Sequence, residues 1–161
     1  MPIVYLALGT NLGDRFGNLK AALGALPPEA IVQAQSQIYE TPAWGYEAQP
    51  PFLNMVVKVS TDLAPLSLLA HIKDLEARLG RTPSFHWGPR LIDIDILFYD
   101  DLILQVPELT VPHPRLHERA FVLVPLADLA PELVHPVLHQ TIAGLLASTD
   151  RSGIALFSRQ P

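Results

Sequence analysis

The chain has no cysteine among its 161 residues, which excludes disulfides and thiolate-held metal sites. Charge is sparse too: 17% of residues carry it, and the net balance is −5. A protein that coats nucleic acid needs a basic surface to meet phosphates, so this balance argues against that class. No apolar run approaches a membrane span, and no charged start with an apolar stretch marks a secretory signal. A cytoplasmic protein is the expectation. Apolar residues, by contrast, make up 49% of the chain, enough for one compact domain over residues 1–161 with a real core. Sixteen prolines beside two methionines point to a heat-adapted source, whereas the low charged fraction points the other way.

Along the chain, "IVYLALG" (Ile3 to Gly9) reads as a buried strand, and "LGTNLGDR" as a turn from it into a helix. That turn lacks the lysine and spacing of a Walker motif, so it is expected to shape a cleft rather than cradle phosphates by itself. Phe16, Leu19, Leu23 and Leu26 then recur at helical spacing until Pro27-Pro28 stops the helix. "IVQAQSQIYET" reads as a second strand, and "TPAWGYEAQPP" as a loop. In "FLNMVVKV" (Phe52 to Val59), Leu53, Met55, Val57 and Val59 form one apolar face, with Phe52, Asn54, Val56 and Lys58 opposite. A helix is predicted from Pro65 to Leu79, buried along Leu68, Ile72, Leu75 and Leu79 and capped by Gly80. "RTPSFHWGPR" reads as another loop. The remainder predicts a strand, a turn at Asp100-Asp101, "LILQV" as the hairpin partner of that strand, short helices, a helix from Thr141 and a last strand near "GIALF". This irregular alternation favours an α+β sheet with helices packed on it.

The chemistry concentrates in "HWGPRLIDIDILFYDD". On a strand, residues two apart point the same way, with Cα atoms about 6.5 Å apart. Asp93 and Asp95 therefore project side by side, with Ile92, Ile94, Ile96 and Phe98 expected on the other face and Leu91, Leu97 and Tyr99 sharing theirs. Aspartates on a wet or protected sheet edge would satisfy the same pattern. Two carboxylates on a half-covered surface, however, need a cation or an arginine to offset their repulsion. Magnesium suits them, because it commonly bridges carboxylates to a substrate's phosphates. Arg81 and Arg90 bracket the preceding loop and offer forked donors for phosphate oxygens. Arg78, Arg115 and Arg119 add to the basic residues of this half. The pairs His113/His117 and His135/His139 have helical ligand spacing, but a proline after each first histidine weakens a zinc reading.

"HWGPRLIDIDIL" resembles the diagnostic segment of the 6-hydroxymethyl-7,8-dihydropterin pyrophosphokinase family, and "ALGTNLGDR", "YETPAWG", "FLNMVV", "LEARLGR" and "TVPHPRLHERAFVLVPLADLAPEL" extend the match over about Ile3 to His135. The resemblance implies a ferredoxin-like α+β domain, mainly antiparallel, with helices on both faces of the sheet. It implies transfer of the terminal pyrophosphoryl group of ATP to the pterin's hydroxymethyl oxygen, in folate biosynthesis. Two magnesium ions on Asp93 and Asp95 are implied, with Arg81 and Arg90 closing on the phosphates. Leu69, Lys73, Glu76, Trp87, Ile96, Thr110, His113 and Arg119 match positions near the nucleotide. Thr41, Pro42, Trp44, Phe52, Asn54 and Phe121 match positions around the pterin, with Phe52 and Phe121 sandwiching the ring. A monomer without an obligate partner is implied. The chain departs from the family in having no further Lys or Arg between Arg81 and Arg90, His86 where arginine is common, and Phe52 where tyrosine is frequent.

Two rival readings share some of these features. A two-metal nucleotidyltransferase also pairs strand aspartates with a glycine turn, but places that turn a short way before them. Here about eighty residues separate Gly9 from Asp93. A ligand-binding or regulatory module with structural aspartates predicts no metal-dependent turnover.

Overall fold

The computed structural model describes residues 1–42, 49–80, 91–158 and 161. Its strands are β1 (Ile3–Thr10), β2 (Ala30–Gln35), β3 (Ile38–Thr41), β4 (Phe52–Thr61), β5 (Asp93–Tyr99), β6 (Leu104–Val106), β7 (Leu109–Val111) and β8 (Ala155–Ser158). Its helices are α1 (Arg15–Ala25), α2 (Pro65–Leu79), α3 (Ala120–Leu129) and α4 (Ile142–Ala147), with a 3₁₀ turn at Leu116–Glu118. The main sheet runs β5-β1-β4-β3-β8, with β2 also paired to β4, and its pairings are antiparallel.

Each face of that sheet carries helices because the central strands alternate apolar side chains to both sides. Val4, Leu6 and Leu8 of β1 and Leu53, Met55, Val57 and Val59 of β4 pack with Leu19 and Ala22 of α1 and Leu68, Ile72 and Leu75 of α2. Tyr5 and Val56, of the opposite parity, pack with Val122, Leu123 and Leu126 of α3 and Ile142, Leu145 and Leu146 of α4. The predicted faces of β4 are therefore the observed ones. Helix ends follow local chemistry: Asp14 accepts the Gly17 N–H at 3.0 Å, Thr141 accepts the Gly144 N–H at 3.0 Å, and Gly80 donates back to Glu76. Among the described residues no helix is long and apolar enough to cross a membrane.

Three sequence expectations change. The predicted second strand is two, β2 and β3, interrupted at Ser36-Gln37. There Ser36 donates its N–H to the Val56 carbonyl and accepts the Val56 N–H on Oγ, both at 2.9 Å, so the break costs no buried backbone hydrogen bond. The segment after Asp100-Asp101 is not the hairpin partner of β5: β6 pairs with β7 in a separate two-stranded sheet. The turn itself forms, with Asp100 at φ 47° accepting the Ile3 N–H on its carboxylate at 2.7 Å.

The third change lies in β5. Tyr5 pairs with Phe98 and Leu6 with Ile96, so Leu97 is an extra residue, a bulge. Ile92, Ile94 and Ile96 join the core beneath α1 and α2, as expected. Leu97 and Phe98 both join the other core, while Tyr99 returns to the first. Phe98 therefore does not share the isoleucine face, nor Tyr99 that of the aspartates.

Candidate active site

At the end of β1, Gly9 lies between Asn54 of β4 and Asp93 of β5. The sheet opens there into a cavity of about 390 Å³, lined by Thr41, Pro42, Phe52, Asn54, Asp93, Asp95, Arg119 and Phe121, with Ala7 and Gly9 among the residues beneath them. Asn54 is buried and donates through Nδ2 to Thr41 Oγ1 at 2.8 Å, leaving Oδ1 for another partner. Phe52 and Phe121 are half-buried, which leaves part of each ring on the cavity. The Arg119 guanidinium stands 5.7 Å from the centre of the Phe121 ring. Gly9 has to be small: a β-carbon there would come within 3.1 Å of Asn54 Oδ1.

A second cavity, about 260 Å³, lies along the outer edge of β5 between α2 and the β6–β7 hairpin. Leu69, Lys73, Ile96, Thr110 and His113 line it, together with Ile94, Asp95 and the turn at Pro107 and Glu108. Asp95 is shared by both cavities. It is exposed, whereas Asp93 is half-buried.

Glu76 reaches β5 from α2 and accepts the Ile94 N–H at 2.9 Å, with Lys73 Nζ 3.4 Å away. It thereby pairs an N–H on the sheet's open edge, between the two aspartates. Burial pushes its carboxyl up from the ordinary value and nearby Asp93 adds to this; the Ile94 N–H and Lys73 oppose it. His113 is tied to β5 by its N–H, 2.9 Å from the Leu97 carbonyl. Its Nδ1 accepts the Arg115 N–H at 3.1 Å, so in the neutral ring the proton sits on Nε2. Burial pushes His113 down, against the pull of Asp95, and Arg119 and Arg115 push it further the same way.

Most of the predicted site residues therefore meet at this end of the sheet. Thr41, Pro42, Phe52, Asn54 and Phe121 share the first cavity, and Leu69, Lys73, Ile96, Thr110 and His113 the second. Arg119, matched to the nucleotide, lines the first cavity beside Asp93 and Asp95. Trp44, Arg81, Trp87 and Arg90 lie outside the described residues. Ala7, Gly9, Pro107 and Glu108 were not singled out by sequence reasoning. Ala7 and Gly9 had a signal, since side chains shrink along Tyr5, Ala7, Gly9 on one face of β1. Pro107 and Glu108 were hidden by pairing β6 with the wrong strand.

Among the described residues no group of three histidine, cysteine or carboxylate side chains could hold a metal. Two carboxylates without a third suit magnesium, which keeps waters and completes its octahedron on substrate phosphates rather than in an all-protein cage.

The chain is similar to known proteins over most of its length. Residues 5–131 match the family described as 7,8-dihydro-6-hydroxymethylpterin-pyrophosphokinase (HPPK). The chain is similar to the 2-amino-4-hydroxy-6-hydroxymethyldihydropteridine pyrophosphokinase of Aquifex aeolicus, 43% identical over 88% of this chain and 89% of that protein. It is also similar to folic acid synthesis protein FOL1 of Dictyostelium discoideum, 48% identical over 86% of this chain. This chain spans only 21% of the FOL1 length. Among solved structures, wild-type Plasmodium falciparum HPPK-DHPS with pteroate superposes with a TM-score of 0.76 at 20% identity, over 91% of this chain and 44% of that one. That likeness establishes the fold, α+β and ferredoxin-like. On the sequence match, the chain belongs to the 7,8-dihydro-6-hydroxymethylpterin-pyrophosphokinase family.

Proposed function

We propose that the two adjoining cavities are the two substrate sites of a pyrophosphoryl transfer, with pterin in the first, ATP in the second, and magnesium held between them by Asp93 and Asp95. As a pyrophosphokinase of this family, the chain moves the terminal pyrophosphoryl group of ATP to the hydroxymethyl oxygen of 6-hydroxymethyl-7,8-dihydropterin and releases AMP. The observation that carries the placement is Asp95, which lines both cavities at once. A carboxylate shared by two sites stands where the transferred group must cross from one to the other.

In the first cavity Phe52 and Phe121 stack on the flat ring, while Asn54 and Thr41 bond its polar edge. Asn54 is oriented for this by its bond to Thr41, and Pro42 and Trp44 complete the pterin side. In the second, Leu69 and Ile96 provide apolar walls for the base, and Lys73, Thr110 and the Nε2–H of His113 face the polar parts of the nucleotide. Glu76 fixes the part of β5 that carries both aspartates. Arg119, beside the aspartates, bears on the phosphates from the pterin side; Trp87 contacts the nucleotide, and Arg81 and Arg90 contact the phosphates. Two magnesium ions, when bound, neutralise the triphosphate and orient the alcohol for in-line attack on the β-phosphorus. Residues 1–161 act as one domain and as a monomer in the cytoplasm. The single-domain reading is supported by a sheet that includes strands from both ends of the chain.

The experiment is to supply ATP, magnesium and the pterin and to identify the nucleotide product. AMP should form only with pterin and metal together. In Asp95→Ala it should fall by roughly a thousandfold or more, the scale of metal-borne charge stabilisation, with the fold retained because the side chain is exposed. Free pyrophosphate with a nucleotidylated acceptor would replace this reading with nucleotidyl transfer. No turnover by folded protein would leave a binding module.

A further inference from the structure

The turn between β1 and α1 follows Gly9 and Thr10, at the point where β1 is flanked by the starts of β4 and β5. Asn11 of this turn and Arg15 and Asn18 of the first turn of α1 reach outward in two directions. Toward β4, Asn11 Nδ2 donates to Gln49 Oε1 and to the Pro50 carbonyl, each at 3.3 Å. Arg15 Nη1 donates to Glu40 Oε2 at 2.6 Å and to the Pro51 carbonyl at 3.0 Å, with its guanidinium 5.5 Å from the centre of the Phe157 ring. Toward β5, Asn18 Nδ2 donates to Thr10 Oγ1 at 3.1 Å, the Leu12 carbonyl at 2.8 Å and the Leu91 carbonyl at 3.3 Å.

These anchor points adjoin the site. Glu40 precedes Thr41, Pro51 precedes Phe52, and Leu91 lies two residues before Asp93. Pro50 and Pro51 have no N–H, so the chain entering β4 can be held there only through its carbonyls. Asn11 and Arg15 supply the donors. None of Asn11, Arg15 and Asn18 lines either cavity, so each acts through another residue.

We propose that this turn, together with the first turn of α1, is a positioning element with two separable halves: Arg15, with Asn11, sets the pterin side through Thr41 and Phe52, and Asn18 sets the metal side through Leu91. The proposal rests on the assignment of the two cavities given above. Arg15 makes a charge-assisted bond on one strand and a carbonyl bond on the next, so its loss lets the ends of β3 and β4 separate. Asn18 shares two amide hydrogens among three acceptors, and its loss frees the chain entering the aspartate strand.

Steady-state kinetics of the full chain, with pterin, ATP and magnesium varied in turn, tests both halves. Arg15→Ala should raise the pterin KM about tenfold, leaving the ATP KM and the magnesium half-saturation within about twofold. Arg15→Lys, which keeps the charge, should recover part of the loss. Asn18→Ala should do the reverse, raising about tenfold both the magnesium half-saturation and the magnesium Kd measured by calorimetry with a non-hydrolysable ATP analogue, and leaving the pterin KM within about twofold. Asn18→Ser takes its place if Asn18→Ala does not fold. Both variants moving every parameter together, in step with lost thermal stability, would overturn the proposal, as would no change in either. The wild type in the same assay separates the failures, since a wild type that forms no AMP overturns the underlying reaction instead.

Discussion

Replacing Gly9 with alanine adds one methyl group beneath the cavity proposed to hold the pterin. Its carbon would lie 3.1 Å from Asn54 Oδ1, a few tenths of an ångström too close, while Leu53 O and Phe52 Cδ1 at 3.9 Å stay in ordinary contact. The backbone of β1 cannot easily yield, because Gly9 is paired to Asn54 on one side and Asp93 on the other. The Asn54 carboxamide must move instead, and it is 7% exposed and bonded to Thr41 at 2.8 Å. The Asn54–Thr41 bond is lost from the free protein and so bears on stability, whereas one bond lost to the pterin costs about 0.5–1.5 kcal/mol in binding. Expressed as kcat/KM for the pterin, this is a loss of roughly two- to thirteenfold. Stability should hardly change: alanine in a strand gains about 0.5–1 kcal/mol over glycine, which offsets the lost Asn54–Thr41 bond. Gly9 does not line the cavity proposed for the nucleotide, so the ATP KM should hold. Kinetics in both substrates and a thermal melt check the case. An unchanged pterin kcat/KM with a raised Tm would refute the reasoning.

Phe121→Ala should raise the pterin KM about tenfold, because stacking contributes about 0.5–1.5 kcal/mol beyond the buried area, and Phe121→Leu should recover only the area part. Steady-state kinetics with the pterin varied measures both. Glu76→Ala leaves the Ile94 N–H without its acceptor and should lower stability in urea by about 1–3 kcal/mol, with Glu76→Gln restoring most of it. Tyr39 is pushed up to about 12, first by burial and then by its hydrogen bond to Asp128 and that carboxylate's charge. The folded protein holds this proton more tightly than the unfolded chain, so the contribution is complete below pH 10 and fades as pH rises toward 12. Urea midpoints at about pH 9 and about pH 11 should therefore fall more steeply for wild type than for Tyr39→Phe.

Features written into one segment were readable in the sequence. Helix α2 ran from its proline to its glycine as expected, and the alternation of β4 assigned each residue to its observed face. The aspartate pair was visible because two carboxylates interrupt an apolar run at strand spacing. Features that depend on a distant partner were hidden. The break at Ser36 has no glycine or proline to announce it; it exists because Val56 offers the matching N–H and carbonyl. The partner of β6 is a question of competition between strands, and β7 wins it. The grouping of Thr41, Asn54 and Phe121 came from the family resemblance, since no local pattern links positions that far apart.

The bulge at Leu97 divides β5 into two stretches of opposite phase. Before it, even-numbered residues face α1 and α2; after it, odd-numbered ones do. The strand can thus present two aspartates to the cleft and then two consecutive large side chains, Leu97 and Phe98, to the core beneath α3 and α4. An uninterrupted strand would force a choice between them. Deleting one residue at this position would leave the aspartates in place but remove the phase reversal, sacrificing one anchor of the α3–α4 layer. The freed Leu97 carbonyl is also where His113 docks by its N–H. One irregular residue therefore keeps the carboxylates of the cleft and the packing of the core from competing for the same periodicity.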